Sequence, residues 1–176
     1  YKENLYKPMP GYRFIASNTD RSRYYVGELN GKSSKQAYMD ALHISESNII
    51  NQTFHNPLGK MNGQDICIIS LKEVSGNGLC CYRQVNDSDV LVLLEEQDYN
   101  EILDETLQRI RRDFNHISGV FSINCVFRYL LFSQEHHMED YLKTMSTLGE
   151  HAGLIGFGEH YNQQFVNQTM TCVVFE

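Results

Sequence analysis

The sequence has little proline, no long apolar run and no excess of positive charge, and each shortage excludes something. Three prolines in 176 residues leave little room for stiff linkers. The greasiest stretch, residues 119–132, still holds Ser122, Asn124 and Arg128, so no segment reaches the ~18 apolar residues of a membrane-spanning helix. Lys and Arg number 15 against 22 Asp and Glu, a formal charge of -7. Such a balance gives no broad cationic face for releasing counterions from nucleic acid, and it argues equally against an anionic membrane surface. Neither is an expected partner. The phosphate-cradling patterns GxxxxGK[ST] and GxGxxG after a strand are absent, and Gly156-Phe157-Gly158-Glu159 is half of the second with no helix behind it. No Cys pair has C-x-x-C spacing, and adjacent Cys80 and Cys81 point to opposite faces of a strand. His136 and His137 project about 100° apart on a helix, do not converge on a metal, and read as a solvated pair at a helix start. No metal and no cofactor is expected.

What is present is enough for a core. Hydrophobic residues make up 41% of the chain, with 11 Tyr and 9 Phe, which places it outside the disordered class. Cys67, Cys80, Cys81, Cys125 and Cys172 are odd in number and sit among apolar neighbours, as reduced thiols in a cytoplasmic protein do. The chain opens at Tyr1 with no basic-apolar-small leader, so it is expected to be the edge of an excised domain.

Residues 12–16 and 23–29 alternate and are rich in β-branched and aromatic types, which predicts two strands joined by a turn at Asn18-Thr19-Asp20-Arg21. Ser33 with Gln36 three residues on is a capping-box pattern ahead of Ala37, Tyr38, Ala41 and Leu42, and predicts a short helix over about residues 34–43. Pro57, Gly59 and Gly63 predict a loop around residues 55–63. Residues 65–74, 78–84 and 89–94 read as antiparallel strands. Asp98 and Glu101 cap a helix whose Tyr99, Ile102, Leu103, Leu107, Ile110 and Phe114 share one face. Residues 119–127 read as a central strand buried on both faces, extended by residues 130–132. Met138, Tyr141, Leu142, Met145 and Leu148 predict a second long helix, and strands at about residues 154–160 and 168–175 close the chain. The expected fold is α+β: mainly antiparallel sheet flanked by two long helices and one short helix, in a single domain over residues 1–176.

Two charged residues stand out. Arg128 follows the apolar strand and opens a helical turn, where the dipole disfavours a cation, so it needs a counter-charge. Glu159 ends an apolar strand whose glycines let another backbone or a ligand approach closely, and it needs a partner too. Either the two pair with each other and hold strands in register, or they meet a ligand. A guanidinium binds a ligand carboxylate bidentately while a glutamate accepts from a ligand ammonium, a combination that suits a free amino acid. Asn167 and Thr169 add neutral hydrogen bonds. Cys125, a thiol inside an apolar run, reads as inert, and no catalytic residue is expected.

Cys125-Val126-Phe127-Arg128, then Gly156-Phe157-Gly158-Glu159, then Asn167-Gln168-Thr169 before a terminal apolar strand resemble, in order and spacing, signature segments of the FIST C-terminal domain. Residues 23–31 with the short helix after them, and His55-Asn56-Pro57-Leu58-Gly59, resemble that family's opening segments, so the likeness runs from about residue 12 to 175. The resemblance implies a non-catalytic sensory domain of bacterial and archaeal signal-transduction proteins, with relatives in eukaryotic F-box proteins, that binds a small ligand such as an amino acid. It also implies a preceding FIST N-terminal domain, which this chain as a fragment would lack, and other domains of a signalling protein as partners. Carried over by position, the ligand-binding residues are Cys125, Arg128, Gly156, Gly158, Glu159, Asn167 and Thr169. The F-box relatives suggest an alternative, a protein interaction scaffold in which an Arg–Glu pair is structural. Val166, where relatives often carry histidine, and Phe127, where a small residue is common, depart from the pattern.

Overall fold

The computed structural model describes residues 1–63 and 65–176. They form two compact units, one of Lys7–Glu96 and one of Tyr1–Tyr6 with Gln97–Glu176. In chain order the elements are β1 (Lys2–Asn4), β2 (Tyr6–Asp20), β3 (Tyr25–Leu29), β4 (Lys32–Ser33), α1 (Ser34–Leu42), α2 (Ile49–Gln52), β5 (Leu58–Asn62), β6 (Asp65–Ile69), β7 (Leu71–Ser75), β8 (Gly78–Cys81) and β9 (Val90–Glu96). Then come α3 (Tyr99–Asp113), β10 (Gly119–Cys125), α4 (Val126–Gln134), α5 (Met138–Met145), β11 (Glu150–Gly156), β12 (Glu159–Tyr161), β13 (Gln164–Val166) and β14 (Thr169–Phe175). The class is α+β with mainly antiparallel sheet, as the residue patterns predict. The helix count differs: the described residues form five helices, not two long and one short.

In the unit Lys7–Glu96 the strands run in the order β6-β5-β9-β2-β3-β8-β7, with β4 on β3. Ser33 caps α1 by accepting from the Gln36 amide at 3.3 Å, and His43 ends the helix in the left-handed conformation at φ 55. Ala37, Tyr38 and Ala41 of α1 lie buried with Phe14, Val26, Leu29, Leu79 and Leu91 in one apolar cluster. Two expectations fail here for the same reason. The predicted loop around residues 55–63 contains β5, which pairs with both β6 and β9, and the single strand predicted over residues 65–74 divides at Ser70, where the chain leaves β5 to pair with β8. Pairing with two neighbours outweighs the turn chemistry of Pro57 and Gly63.

The second unit carries the candidate site. Its sheet runs β1-β14-β10-β11, with β10 and β11 parallel and the other two pairings antiparallel. Asp98 caps α3, accepting from the amides of Asn100 at 2.9 Å and Glu101 at 3.0 Å, and the helix buries Leu103, Leu107 and Ile110. Each of those three removes about 1.5–3 kcal/mol worth of apolar surface from water. Strand β10 is central, as predicted, but buries only one face: Val120, Ser122 and Asn124 are buried while Phe121 and Ile123 are half-buried. It also stops at Cys125. Beyond that point Arg128, Leu131 and Phe132 are buried, a spacing of three and four that fits a helix and not a strand, and the segment folds as α4. Because α4 takes those residues, the second long helix expected around Met138–Leu148 shortens to the eight residues of α5. The closing strand expected over residues 154–160 is likewise two, β11 and β12, separated at Gly158, whose φ of 114 turns the chain.

Candidate functional site

Strand register explains why a residue near the amino terminus meets one in α4. Glu3 lies opposite Met170, and Met170 opposite Asn124, so Glu3 shares the face of Ser122 and Asn124. Arg128, in the first turn of α4, directs its guanidinium toward that face, and its Nη2 donates to Glu3 Oε1. Each of the two side chains is 1% exposed. The guanidinium also lies over two rings, 4.6 Å from the centre of Phe132 and 5.6 Å from that of Tyr141. Nε and Nη1 of Arg128 and Oε2 of Glu3 are buried with no hydrogen-bond partner. The counter-charge that Arg128 requires is therefore Glu3, and not Glu159.

Glu159 opens β12 and is 2% exposed. Its Oε2 accepts from Thr169 Oγ1 at 2.9 Å, the Cys125 thiol donates to its carboxylate, and Oε1 has no partner. Burial pushes its carboxyl up from the ordinary 4.5 to about 7, against the opposing pull of Thr169, Cys125 and the charge of Arg128. Cys125 is raised by its own burial first and by Glu159 next. The predicted residues thus converge: Arg128, Glu159, Cys125 and Thr169 lie within one electrostatic neighbourhood at the carboxyl ends of the parallel strands β10 and β11.

Gly158 has a structural reason to be glycine. A Cβ there would lie 2.3 Å from the Phe165 ring and 3.1 Å from Asn167 Oδ1, on backbone that side chains rarely adopt. Gly156 is less constrained, a Cβ meeting nothing nearer than 3.4 Å. Asn167 is 8% exposed and packs against Gly158. Cavities of about 310, 320 and 230 Å³ in this unit have neither Arg128 nor Glu159 in their walls.

Several residues escape sequence reasoning. Glu3 sits in the short polar run Lys2-Glu3-Asn4 with no apolar pattern to mark it as buried. Gln168, between the two predicted residues Asn167 and Thr169, is fully buried and donates to the Tyr6 hydroxyl at 3.1 Å. His137 is not solvated: it packs edge-on against Phe132 at 4.7 Å, and burial lowers its pKa, while His136 is exposed. Among the described residues no cluster of His, Cys, Asp and Glu is placed to hold a metal. Nor is any helix among them long and apolar enough to cross a membrane.

The unit of Tyr1–Tyr6 with Gln97–Glu176 thus carries a buried charged cluster at the end of a parallel strand pair. A family model described as the FIST C domain matches residues 35–162, a span that enters both compact units, and the chain belongs to that family. FIST C domains are sensory, non-catalytic domains of signal-transduction proteins. No curated protein and no solved structure matches the chain.

Proposed function

We propose that this chain senses a small zwitterion, an amino acid being the class that fits, through Arg128 and Glu159, and that its two units act as one domain within a longer signalling protein. The observation that supports this is a guanidinium with two unused donors and a carboxylate with one unused oxygen, buried in the same neighbourhood. Buried polar atoms without partners are costly, so a molecule bringing a carboxylate to the unused donors of Arg128 and an ammonium to the unused oxygen of Glu159 gains more than it would at an exposed pair. Neither side chain lines the cavities of about 310, 320 and 230 Å³, so on this reading binding opens the cluster, and a ligand that binds only the open form shifts that equilibrium. Catalysis is no part of the reading: Cys125, the one thiol in the cluster, is buried and held protonated. Calorimetric titration of the chain with each common amino acid at pH 7.5 tests it. Binding of at least one, lost in Arg128→Lys and Glu159→Gln, is expected. Absence of heat and of thermal shift with every one overturns it.

A second reading has its own observation. The pair Arg128–Glu3, closed over by Phe132 and Tyr141, is fully explained as a staple between α4 and β1, while Phe157 at 91% exposure and Phe175 at 53% stand free for a protein partner. In that scaffold, Arg128→Lys alters stability and leaves no amino-acid response to lose.

A further inference from the structure

A cavity of about 310 Å³ opens between α5 and the edge strand β11, lined by Ser122, Asn124, Tyr141, His151 and the apolar Met138, Leu142, Leu154 and Ile155 among others. Not one Asp, Glu, Lys or Arg is in the lining, in a chain where charged residues make up 21%. A carboxylate or an ammonium placed there finds no counter-ion and loses its hydration. The Arg128 guanidinium lies against the Tyr141 ring, 5.6 Å from its centre, and is already paired with Glu3. Leu142, Leu154 and Ile155 are nearly half exposed at 47%, 48% and 46%, an apolar border of the kind a ligand covers.

The polar part of the wall has a direction. Asn124 Nδ2 donates to the Tyr141 hydroxyl at 2.9 Å, and that hydroxyl donates to Ser122 Oγ at 3.2 Å. Ser122 Oγ keeps its own proton and lies 2.9 Å from His151 Nε2, and we assign that proton to this contact, with Nε2 as the acceptor. An imidazole that accepts at Nε2 carries its proton on Nδ1. Burial lowers the His151 pKa, which favours the neutral ring. With that assignment the proton of the His151 ring, a lining residue of the cavity, sits on Nδ1, and what answers an N–H there is an acceptor such as a carbonyl oxygen. Behind the wall, Asn124 Oδ1 is buried with no partner, so the protein's own groups do not saturate this network.

We infer that this cavity is a binding site, distinct from the charged cluster, for an uncharged molecule with an apolar body and a carbonyl acceptor, a neutral amide or ketone, oriented by His151. The inference does not rest on amino-acid binding at Arg128 and Glu159. Benzamide, benzoate and benzylamine share one ring and differ in charge, and titrating each into ¹⁵N-labelled chain at pH 7.5 reads the site directly. Benzamide is expected to shift the amides of Ser122, His151 and Leu154, with benzoate and benzylamine at least tenfold weaker. Replacing the donor in His151→Phe is expected to weaken benzamide about tenfold, the worth of one hydrogen bond to a neutral partner. Should that variant fail to fold, Leu142→Trp at the exposed border fills the mouth and is expected to abolish the shifts. No response to benzamide up to its solubility, equal responses to all three probes, or unchanged affinity in the variant that folds overturns the assignment.

Discussion

Glu159 offers the sharpest test of the buried cluster, because its titration becomes a stability. The carboxyl titrates at about 7 in the folded chain against an ordinary 4.5. Between those two values the folded protein keeps a proton that the unfolded chain has released, so stability falls as pH rises through this window. The contribution is whole below 4.5 and gone above about 7. Each pH unit of displacement is worth ~1.4 kcal/mol, which makes the full difference about 3 kcal/mol. Glutamine imitates the protonated acid and cannot ionise. Urea unfolding of wild type and Glu159→Gln at pH 4.5, 6, 7 and 8 should therefore show similar stability at the acid end and an advantage of up to about 3 kcal/mol for the variant at pH 8. The difference curve is the right readout, since His137 and His151, whose pKa values burial lowers, push the other way and make wild type gain stability with rising pH up to about the ordinary 6.5. Parallel curves across the whole range would mean that the carboxyl ionises normally, and the account of the cluster as desolvated would be refuted.

Three further outcomes follow from the same geometry. Arg128→Met leaves Glu3 buried and unpaired and should lose about 3–5 kcal/mol by urea melt, most of it recovered in the double variant with Glu3→Gln, and no recovery would show the two are not coupled. Gly158→Ala forces a Cβ to 2.3 Å from the Phe165 ring at φ 114, so it should lower the melting temperature by several degrees while Gly156→Ala changes it little. Alkylation of native Cys125 by iodoacetamide should be no faster than unfolding permits, with half-buried Cys67 labelled first, and rapid native labelling of Cys125 would contradict its burial.

Local patterns carried much of this fold. The capping serine of α1, Asp98 at the head of α3 and the central position of β10 all follow from short-range chemistry that a reader of the sequence can apply. What failed depended on partners distant in the chain. Residues 58–62 become a strand only because β9, some thirty positions later, pairs with them, and residues 126–134 become a helix because the face holding Arg128, Leu131 and Phe132 finds a sheet to cover. The site divides in the same way. That Arg128 and Glu159 each need compensation was legible from charge placed beside apolar runs. Which group compensates was not, since Glu3 is separated from Arg128 by 125 positions and reaches it only through the register of β1 on β14 and β14 on β10.

The protonation of Glu159 also distinguishes the two proposed binding sites from each other. A ligand ammonium favours the ionised carboxylate, so at pH values below about 7 zwitterion binding must expel the proton that Glu159 holds. Affinity for an amino acid should then weaken about tenfold for each pH unit below 7, and at pH 6 nearly one proton should appear in solution per ligand bound, measurable as a dependence of calorimetric heat on buffer ionisation enthalpy. An uncharged probe in the cavity beside His151 touches no group that ionises between pH 7 and 8.5, and its affinity there should be flat with no buffer dependence. Amino-acid binding that is equally strong at pH 6 and pH 8 would place the ammonium somewhere other than Glu159, because no ligand cation can be held by a carboxyl that stays protonated.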